Sequence, residues 1–139
     1  MKECDKIRSI DITTLGDFFA PMFAYLSIIV KTWGEERIII SNDRYCAKIL
    51  YYSQRGNYSS DHFHRNKHET WFCFAGSFEF FYYDNKGNVV HQIIKKGDIV
   101  HLSRGVPHQL VALEDESQIF EASTHDNPND VIRISPSMD

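Results

Sequence analysis

The stretch of the chain that decides its fold is residues 56–76, GNYSSDHFHRNKHETWFCFAG. His62 and His64 are two positions apart, so on a β-strand both imidazoles project from the same face. Glu69 follows five residues later, and His108 lies further on, in the stretch GDIVHLSRGVPHQL. Imidazole and carboxylate groups that paired strands bring together are ligands for a first-row transition metal. The sequence therefore predicts a small metal-binding β-barrel.

The composition is that of one folded domain rich in aromatic residues. At 139 residues, the chain is long enough to bury a hydrophobic core without disulfides. Its aromatic content of 14%, with 10 Phe and 7 Tyr, suits strands better than helices. The net charge is −4 and there is no basic stripe, which argues against nucleic acid as a partner.

Cysteine usage and the N-terminal region indicate a cytoplasmic protein. The three cysteines, Cys4, Cys46 and Cys73, form no CxxC pair, which favours a reducing compartment over a disulfide framework. The apolar run Phe18–Val30 is thirteen residues long and contains Pro21, so it is too short to span a bilayer. Acidic residues precede this run, unlike the basic start of a signal peptide. We expect no membrane association.

The N-terminal residues 1–30 are expected to form an arm on a barrel made by residues 31–125, with a C-terminal tail at 126–139. Ile7–Ile12 is interpreted as an edge strand, and Thr13 or Thr14 as the cap of a short helical turn. The segment Leu15–Val30 is either a helix across one end of the barrel or an extended arm.

Short alternating segments separated by turns predict an all-β sandwich or barrel for the remainder. Trp71–Phe74 and Ser77–Tyr83 are interpreted as a hairpin across Ala75 and Gly76. The other expected strands are Arg37–Ile40, Tyr45–Tyr52, Val89–Ile94, Asp98–Leu102, Gln109–Leu113, Gln118–Ser123 and an edge strand at Val131–Ser135.

Two motifs resemble those of the cupins, a superfamily of small β-barrels. The first, G-x5-H-x-H-x3,4-E-x6-G, is matched at every spacing by Gly56, His62, His64, Glu69 and Gly76. The second, G-x5-P-x-G-x2-H-x3-N, is matched by Gly97, Gly105 and His108, while Ser103 and Ala112 replace the proline and the asparagine.

This resemblance implies a jelly-roll-like double-stranded β-helix with one divalent transition metal. The ions compatible with such ligands are Mn, Fe, Zn, Ni and Co. His68 is an alternative to Glu69, but the spacing to Gly76 favours Glu69 and places His68 at the rim. The ligands implied by the resemblance are His62, His64, Glu69 and His108.

The flanks are similar to those of the mannose-6-phosphate isomerase-type sugar cupins. The matching segments are Lys31–Gly34 (KTWG), Tyr45–Lys48 (YCAK), Glu121–Thr124 (EAST) and Asp130–Arg133 (DVIR). This similarity implies a small sugar or sugar phosphate as the substrate.

Strand alternation selects two candidate catalytic residues, Lys48 and Glu121. Lys48 shares a face with Cys46 and Leu50; if that face is interior, the lysine needs a partner, either a protein carboxylate or an anionic substrate. An outward, solvated lysine is the alternative. Glu121 shares a face with Ile119, and inside the barrel it would serve as a general acid or base with a raised pKa.

Side-chain orientation, the partner of Arg133 and the oligomeric state are also predicted. Trp71 and Cys73 are expected to face the interior with Glu69, and Phe72 to face outward. Arg133 either pairs with Asp130 or reaches a ligand. Both faces of Ser77–Tyr83 are aromatic, which favours a homodimer, although a packed N-terminal arm would also cover one face.

The preferred hypothesis is a metal-dependent sugar isomerase or epimerase that proceeds through a metal-stabilised enediolate. One alternative is an Fe(II) dioxygenase, since cupins with this ligand set also activate oxygen. A second alternative is a non-catalytic module that binds a sugar or another small metabolite, because one fold serves many functions.

Overall fold

The computed structural model describes residues 23–139, and these residues form two antiparallel β-sheets around a shared core. The all-β fold predicted from the sequence is confirmed. The expected strand at Ile7–Ile12 and the helical turn at Thr13 or Thr14 lie outside the described residues.

The first sheet has six strands in the order β1-β2-β3-β10-β5-β8, and the second has five in the order β11-β4-β9-β6-β7. A short 3₁₀ helix at Pro128–Asp130 precedes the last strand. The strands are β1 Ser27–Lys31, β2 Gly34–Ser41, β3 Tyr45–Tyr52, β4 Asp61–His64, β5 Glu69–Ala75, β6 Ser77–Tyr83, β7 Val89–Lys95, β8 Ile99–Leu102, β9 His108–Ala112, β10 Ser117–Thr124 and β11 Val131–Ser135.

Most predicted strands are present within a residue or two of their expected bounds. Tyr45–Tyr52 matches β3 at both ends, and Val131–Ser135 is an edge strand as expected, paired with β4. In the segment Leu15–Val30, the extended alternative holds for the part that belongs to β1, which pairs with β2 in the first sheet. The sheet therefore begins before residue 31, where we placed the start of the barrel.

The predicted hairpin between Trp71–Phe74 and Ser77–Tyr83 is wrong. β5 pairs with β10 and β8 in the first sheet, whereas β6 pairs with β7 and β9 in the second. Gly76, with φ of +69°, turns the chain from one sheet to the other, and a Cβ there would lie only 2.8 Å from Cα of Ser117. The inward side chains of the two strands, Trp71 and Cys73 on β5 and Phe78 and Phe80 on β6, cover the core from opposite sides. Accordingly, Trp71 and Phe80 meet edge to face at 5.3 Å.

The hydrophobic core fills one part of the space between the sheets. Trp33 stacks on Tyr52 at 4.4 Å, and Tyr52 meets Phe78 edge to face at 5.0 Å. The core residues are Trp33, Leu50, Tyr52, Trp71, Cys73, Phe78, Phe80, Ile94, Leu102, Leu110, Ala112 and Ile119.

Further along the same strands, the interior becomes polar. On β3, Lys48 follows the core residue Leu50 towards the strand's N-terminal end, and on β10, Glu121 follows Ile119. The register of the sheet pairs Glu121 with Lys48 on one side and with Trp71 on the other. The functional side chains therefore lie directly against the core, which restricts their movement. Within residues 23–139 there is no helix of the length and hydrophobicity that a membrane crossing requires.

Candidate metal centre and active site

Three histidines converge in the polar interior. β4 carries His62 and His64, and β9 carries His108, which pairs with His62 across the second sheet. One ring nitrogen from each of the three lies within 4.8 Å of the others. We refer to these residues as the histidine triad.

The backbone orients each ring of the triad. Nδ1 of His62 faces the Ser60 carbonyl at 2.9 Å, Nδ1 of His64 faces the Asp130 carbonyl at 3.1 Å, and Nδ1 of His108 faces the Val106 carbonyl at 2.8 Å. Because a carbonyl only accepts hydrogen bonds, Nδ1 carries the proton in each ring. Nε2 is then left with its lone pair available to a metal.

The triad is neutral at pH 7. Burial lowers the pKa of His62, His64 and His108 to about 4 each. Repulsion between the protonated forms of His62 and His108 lowers the pKa of His62 further, and the positive charge of Lys67 lowers that of His64. Metal ions bind imidazole only in its neutral form, so the site needs to release no proton at neutral pH.

Glu69, the fourth predicted ligand, lies beside two of the three histidines. It is buried at the start of β5, and its Oε2 lies 3.7 Å from Nε2 of His64 and 3.6 Å from Nε2 of His108. The structure therefore brings together the four residues predicted as ligands. His68 is exposed, as expected for a rim position.

Lys48 is interior and has protein carboxylates as partners. Its Nζ lies 3.0 Å from Asp126, 3.4 Å from Glu36 and 3.9 Å from Glu121. Burial alone would lower the pKa of Lys48, but Glu121 and the other carboxylates outweigh it and raise that pKa. A buried Lys48 needs either a protein carboxylate or an anionic substrate as its partner, and the structure shows protein carboxylates.

Glu121 is 2% exposed, and its Oε2 lies 3.9 Å from Nζ of Lys48 and 3.0 Å from Nζ of Lys67. Burial raises its pKa, and the neighbouring negative charge of Glu69 raises it further. A carboxyl group with a raised pKa that lines a cavity is suited to receive and return protons.

Sequence reasoning missed Lys67 and Asp126, which complete the polar interior. Nζ of Lys67 lies 3.0 Å from Glu121, 3.0 Å from Asp126 and 3.3 Å from Glu69. Lys67 lies in the loop between β4 and β5, where strand alternation does not apply, so no pattern in the sequence marked it. Asp126 follows the last strand of the first sheet and had no signal. Lys48, Lys67, Glu121 and Asp126 are called the charge cluster below.

Asp130 organises the loop that carries Lys67. Its carboxylate accepts hydrogen bonds from the backbone N–H groups of Arg65, Asn66 and Lys67 at 2.9, 3.1 and 3.2 Å. Those hydrogen bonds occupy the Asp130 carboxylate, which is one of the two expected partners of Arg133. Arg133 instead lies opposite His62 in the register of β11 and β4 and lines the cavity.

The site opens into a cavity of about 420 Å³. This volume is within the range of pockets that enclose small molecules. Its walls combine the histidine triad, Glu69 and the charge cluster with apolar side chains, among them Ile29, Trp33 and Ile38.

The predicted orientations of Trp71, Phe72 and Cys73 on β5 are confirmed. Trp71 and Cys73 are buried, and Phe72 is 41% exposed, as alternation required. Burial raises the pKa of the Cys73 thiol to about 11, so this cysteine is a core residue with little thiolate at neutral pH.

Comparison with known proteins agrees with this architecture. Residues 50–120 match the family model of the cupin domain. No protein among those with curated functions matches the sequence significantly.

Two solved structures illustrate the structural likeness. The capsular polysaccharide assembling protein CapF from Staphylococcus aureus superposes with a TM-score of 0.69 at 18% identity, over 79% of this chain and 34% of that one. Oxalate decarboxylase from Bacillus subtilis superposes with a TM-score of 0.71 at 18% identity, over 85% of this chain and 33% of that one. Identities this low show a shared fold only, and the chain spans about a third of either protein.

Proposed function

The chain belongs to the cupin family, and we propose that it is a metal-dependent isomerase or epimerase acting on a small sugar or sugar phosphate. The observation that carries this proposal is the position of the buried Glu121 in the same cavity as the neutral histidine triad and Glu69. A proton-transfer group and a set of metal ligands thus face one substrate-sized space.

The donor set fits a divalent transition metal. Three neutral imidazoles whose Nδ1 protons bond to carbonyls, together with one carboxylate, suit Mn, Fe, Zn, Ni or Co. His62, His64, His108 and Glu69 would hold the ion, which would supply Lewis-acid polarisation of substrate oxygens.

Glu121 is the proposed general base and acid. In an isomerase it would remove the proton from the carbon next to the substrate carbonyl and return it to the former carbonyl carbon, while the hydroxyl proton passes to the other oxygen. In an epimerase it would remove the proton from one face, water would protonate the other face, and Glu121 would release its proton to solvent. Its raised pKa favours proton uptake, and the ion pair with Lys48 holds the carboxylate in place. Lys48 therefore contributes to catalysis through Glu121.

The charges around the cavity indicate how a substrate would be oriented. The two lysines of the charge cluster are already paired with carboxylates, so the inner end of the cavity suits hydroxyl groups. Arg133 lines the same cavity beside β4. We assign it to an anionic substituent of the substrate, such as a phosphate.

Proton exchange tests this function directly. The metal-loaded protein is incubated in D₂O with a panel of aldoses, ketoses and their phosphates, and ¹H NMR follows the signal of the carbon-bound proton next to the carbonyl. Loss of that signal for one sugar supports the proposal, provided that Glu121→Gln abolishes it. No exchange into any member of the panel would overturn the isomerase or epimerase assignment.

Fe(II) dioxygenase chemistry is the second candidate, because three imidazoles and a carboxylate also fit ferrous iron. Substrate-dependent oxygen uptake by the iron-loaded protein, without proton exchange, would establish it in place of the isomerase. A binding module without catalysis predicts neither activity, and its ligand would bind equally well after metal removal and to Glu121→Ala.

We also propose that the protein is a homodimer. Four apolar side chains are register neighbours on the outer face of β3, β10, β5 and β8, namely Ile49, Phe120, Phe72 and Ile99, and the last two are exposed. An exposed apolar row is stabilised when a second copy covers it. Light scattering on the native chain and on Phe72→Asp tests this: a dimer that becomes a monomer is expected, and a native monomer would refute the proposal.

A further inference from the structure

Lys67 occupies a place that the proposed reaction does not require. It is 3% exposed, and its ammonium group has three N–H donors with three carboxylates around it. These belong to Glu69 at 3.3 Å, Glu121 at 3.0 Å and Asp126 at 3.0 Å. A lysine held by this many partners in the interior has little freedom to move.

The two oxygens of Glu69 have different neighbours. Oε1 faces Nζ of Lys67, while Oε2 faces Nε2 of His64 and of His108. A carboxylate held by one oxygen presents only the other to an ion. Lys67 also bridges Glu69 and Glu121, and its positive charge offsets the repulsion between these two buried carboxylates.

We propose that Lys67 is a positioning residue of the metal centre, which holds Oε1 of Glu69 so that Oε2 is presented to the histidine triad as a single-oxygen ligand. This inference rests on the proposed metal site and adds a residue that determines its ligand geometry. Lys67 acts on the metal through Glu69.

The direction in which metal affinity changes when Lys67 is removed distinguishes a positioning role from a simple effect of its charge. A buried cation repels a divalent metal ion, so removal of Lys67 as a mere charge would strengthen metal binding. Removal of a group that supports a ligating residue weakens binding, typically by about 10- to 100-fold. The two roles thus predict opposite changes.

Lys48 is a matched control for this comparison. It is buried like Lys67 and shares Glu121 and Asp126 with it. Within residues 23–139, its third carboxylate partner is Glu36, where Lys67 has Glu69. Lys48→Met therefore removes the same charge from the same cluster and leaves the Lys67–Glu69 ion pair in place.

The experiment titrates the full chain with Co²⁺. Competition with a chelator gives the affinity, and the visible absorption of bound Co²⁺ reports its ligand geometry. The native chain is compared with Lys67→Met, Lys67→Arg, Lys48→Met, Glu69→Ala and the double variant of Lys67→Met with Glu69→Ala. Circular dichroism confirms that each variant is folded.

We expect Lys67→Met to bind Co²⁺ about 10-fold more weakly or worse, with an altered spectrum, and Lys48→Met to bind at least as tightly as the native chain with the native spectrum. Lys67→Met should have no further effect once Glu69 is alanine, because the two residues act on the metal together. Lys67→Arg keeps the positive charge but moves the N–H donors relative to Glu69, so it should also change the Co²⁺ spectrum. If Lys67→Met does not fold, Lys67→Arg alone tests whether Lys67 positions Glu69.

Two results would overturn the inference. Native or tighter binding by Lys67→Met would do so, as would a native spectrum for Lys67→Arg; in either case the metal site itself would stand. If the native chain binds no Co²⁺, both the metal site and the role of Lys67 are refuted.

Discussion

Nε2 of His108 lies 3.6 Å from Oε2 of Glu69, although the two residues belong to different sheets. His108 enters the site from β9 and Glu69 from β5, so the candidate metal centre joins the two halves of the fold. An ion held here would link the two sheets as well as serve the reaction. Metal content and stability should therefore change together.

The first prediction is that this site holds about one equivalent of transition metal. The variant with both His62→Ala and His108→Ala should lose it, because two of three imidazole donors are gone. Elemental analysis of untagged protein provides the measurement, and thermal unfolding with and without a chelator should show the stabilisation that bound metal gives. His101→Ala is the control, since His101 is an exposed histidine that bonds to Thr70. Equal metal in the native chain and the double variant would place the metal elsewhere.

The second prediction concerns Glu121. Glu121→Gln should lower kcat by about 10²- to 10⁴-fold, which is the usual contribution of a general acid or base. Metal content should be unchanged, because Glu121 lies beside the metal-ligating residues and is not among those proposed to hold the ion. Steady-state kinetics and elemental analysis on the same preparation test both statements. A loss of metal in this variant would make Glu121 a ligand.

The third prediction is a loss of stability of the metal-free protein as the pH falls from about 6.5 towards 4. The histidine triad has its pKa lowered from 6.5 to about 4, so in this range the unfolded chain binds more protons than the folded one. Stability therefore rises with pH across the window and is fully restored above about 6.5. Urea unfolding in the presence of a chelator measures this, at several pH values.

His62→Gln provides the control for this pH dependence. It removes one of the titrating groups, so the unfolding free energy should change less steeply with pH. The pKa of Asp126 is lowered by Lys48 and Lys67 despite burial, so its contribution is lost only below its unfolded pKa near 3.8. It therefore does not account for a change above pH 5. An equal unfolding free energy at pH 5 and pH 7 would contradict the burial of neutral histidines.

The fourth prediction tests the turn between the sheets. Gly76→Ala should destabilise the protein by about 1–3 kcal/mol or more, because it combines a left-handed backbone with a close approach to Ser117. Gly87→Ala is a matched control, as Gly87 has φ of +80° in an open turn with no atom within 4 Å of its added Cβ. Chemical unfolding of both variants separates backbone strain, present in each, from steric conflict at Gly76. An equal loss of stability in both variants would mean that Ser117 moves away from the added methyl group at little cost in free energy.

The fifth prediction concerns substrate charge. Arg133→Gln should raise KM for a sugar phosphate by about 10-fold or more and change KM for the unphosphorylated sugar little, since a hydrogen bond to a charged group contributes about 1.5–3 kcal/mol. Arg104→Gln is the control, because Arg104 is an exposed arginine in the turn between β8 and β9. An equal rise for both sugars would mean that Arg133 shapes the cavity and does not recognise the anion.

Local patterns predicted most of the strands, and the resemblance to two cupin motifs supplied the four candidate ligands. His62 and His64 share a face because side chains alternate along any strand. The same alternation put Lys48 on a face with Leu50 and Glu121 on a face with Ile119, and the structure shows that both faces are interior. The spacing of these residues within a motif is a property of the chain alone. This explains why the all-β class, most of the strands and the four candidate ligands could be predicted from the sequence.

Only the tertiary structure decided what the interior charges pair with and how the strands are distributed between the sheets. The Lys67–Glu121 and Lys48–Asp126 ion pairs join distant parts of the chain, and no spacing rule relates them. The predicted hairpin at Gly76 failed for the same reason, since the partner of a strand depends on which side of the core its apolar face must cover. Alternation is set by the backbone over a few residues, whereas partner choice is set by packing and electrostatics across the whole domain.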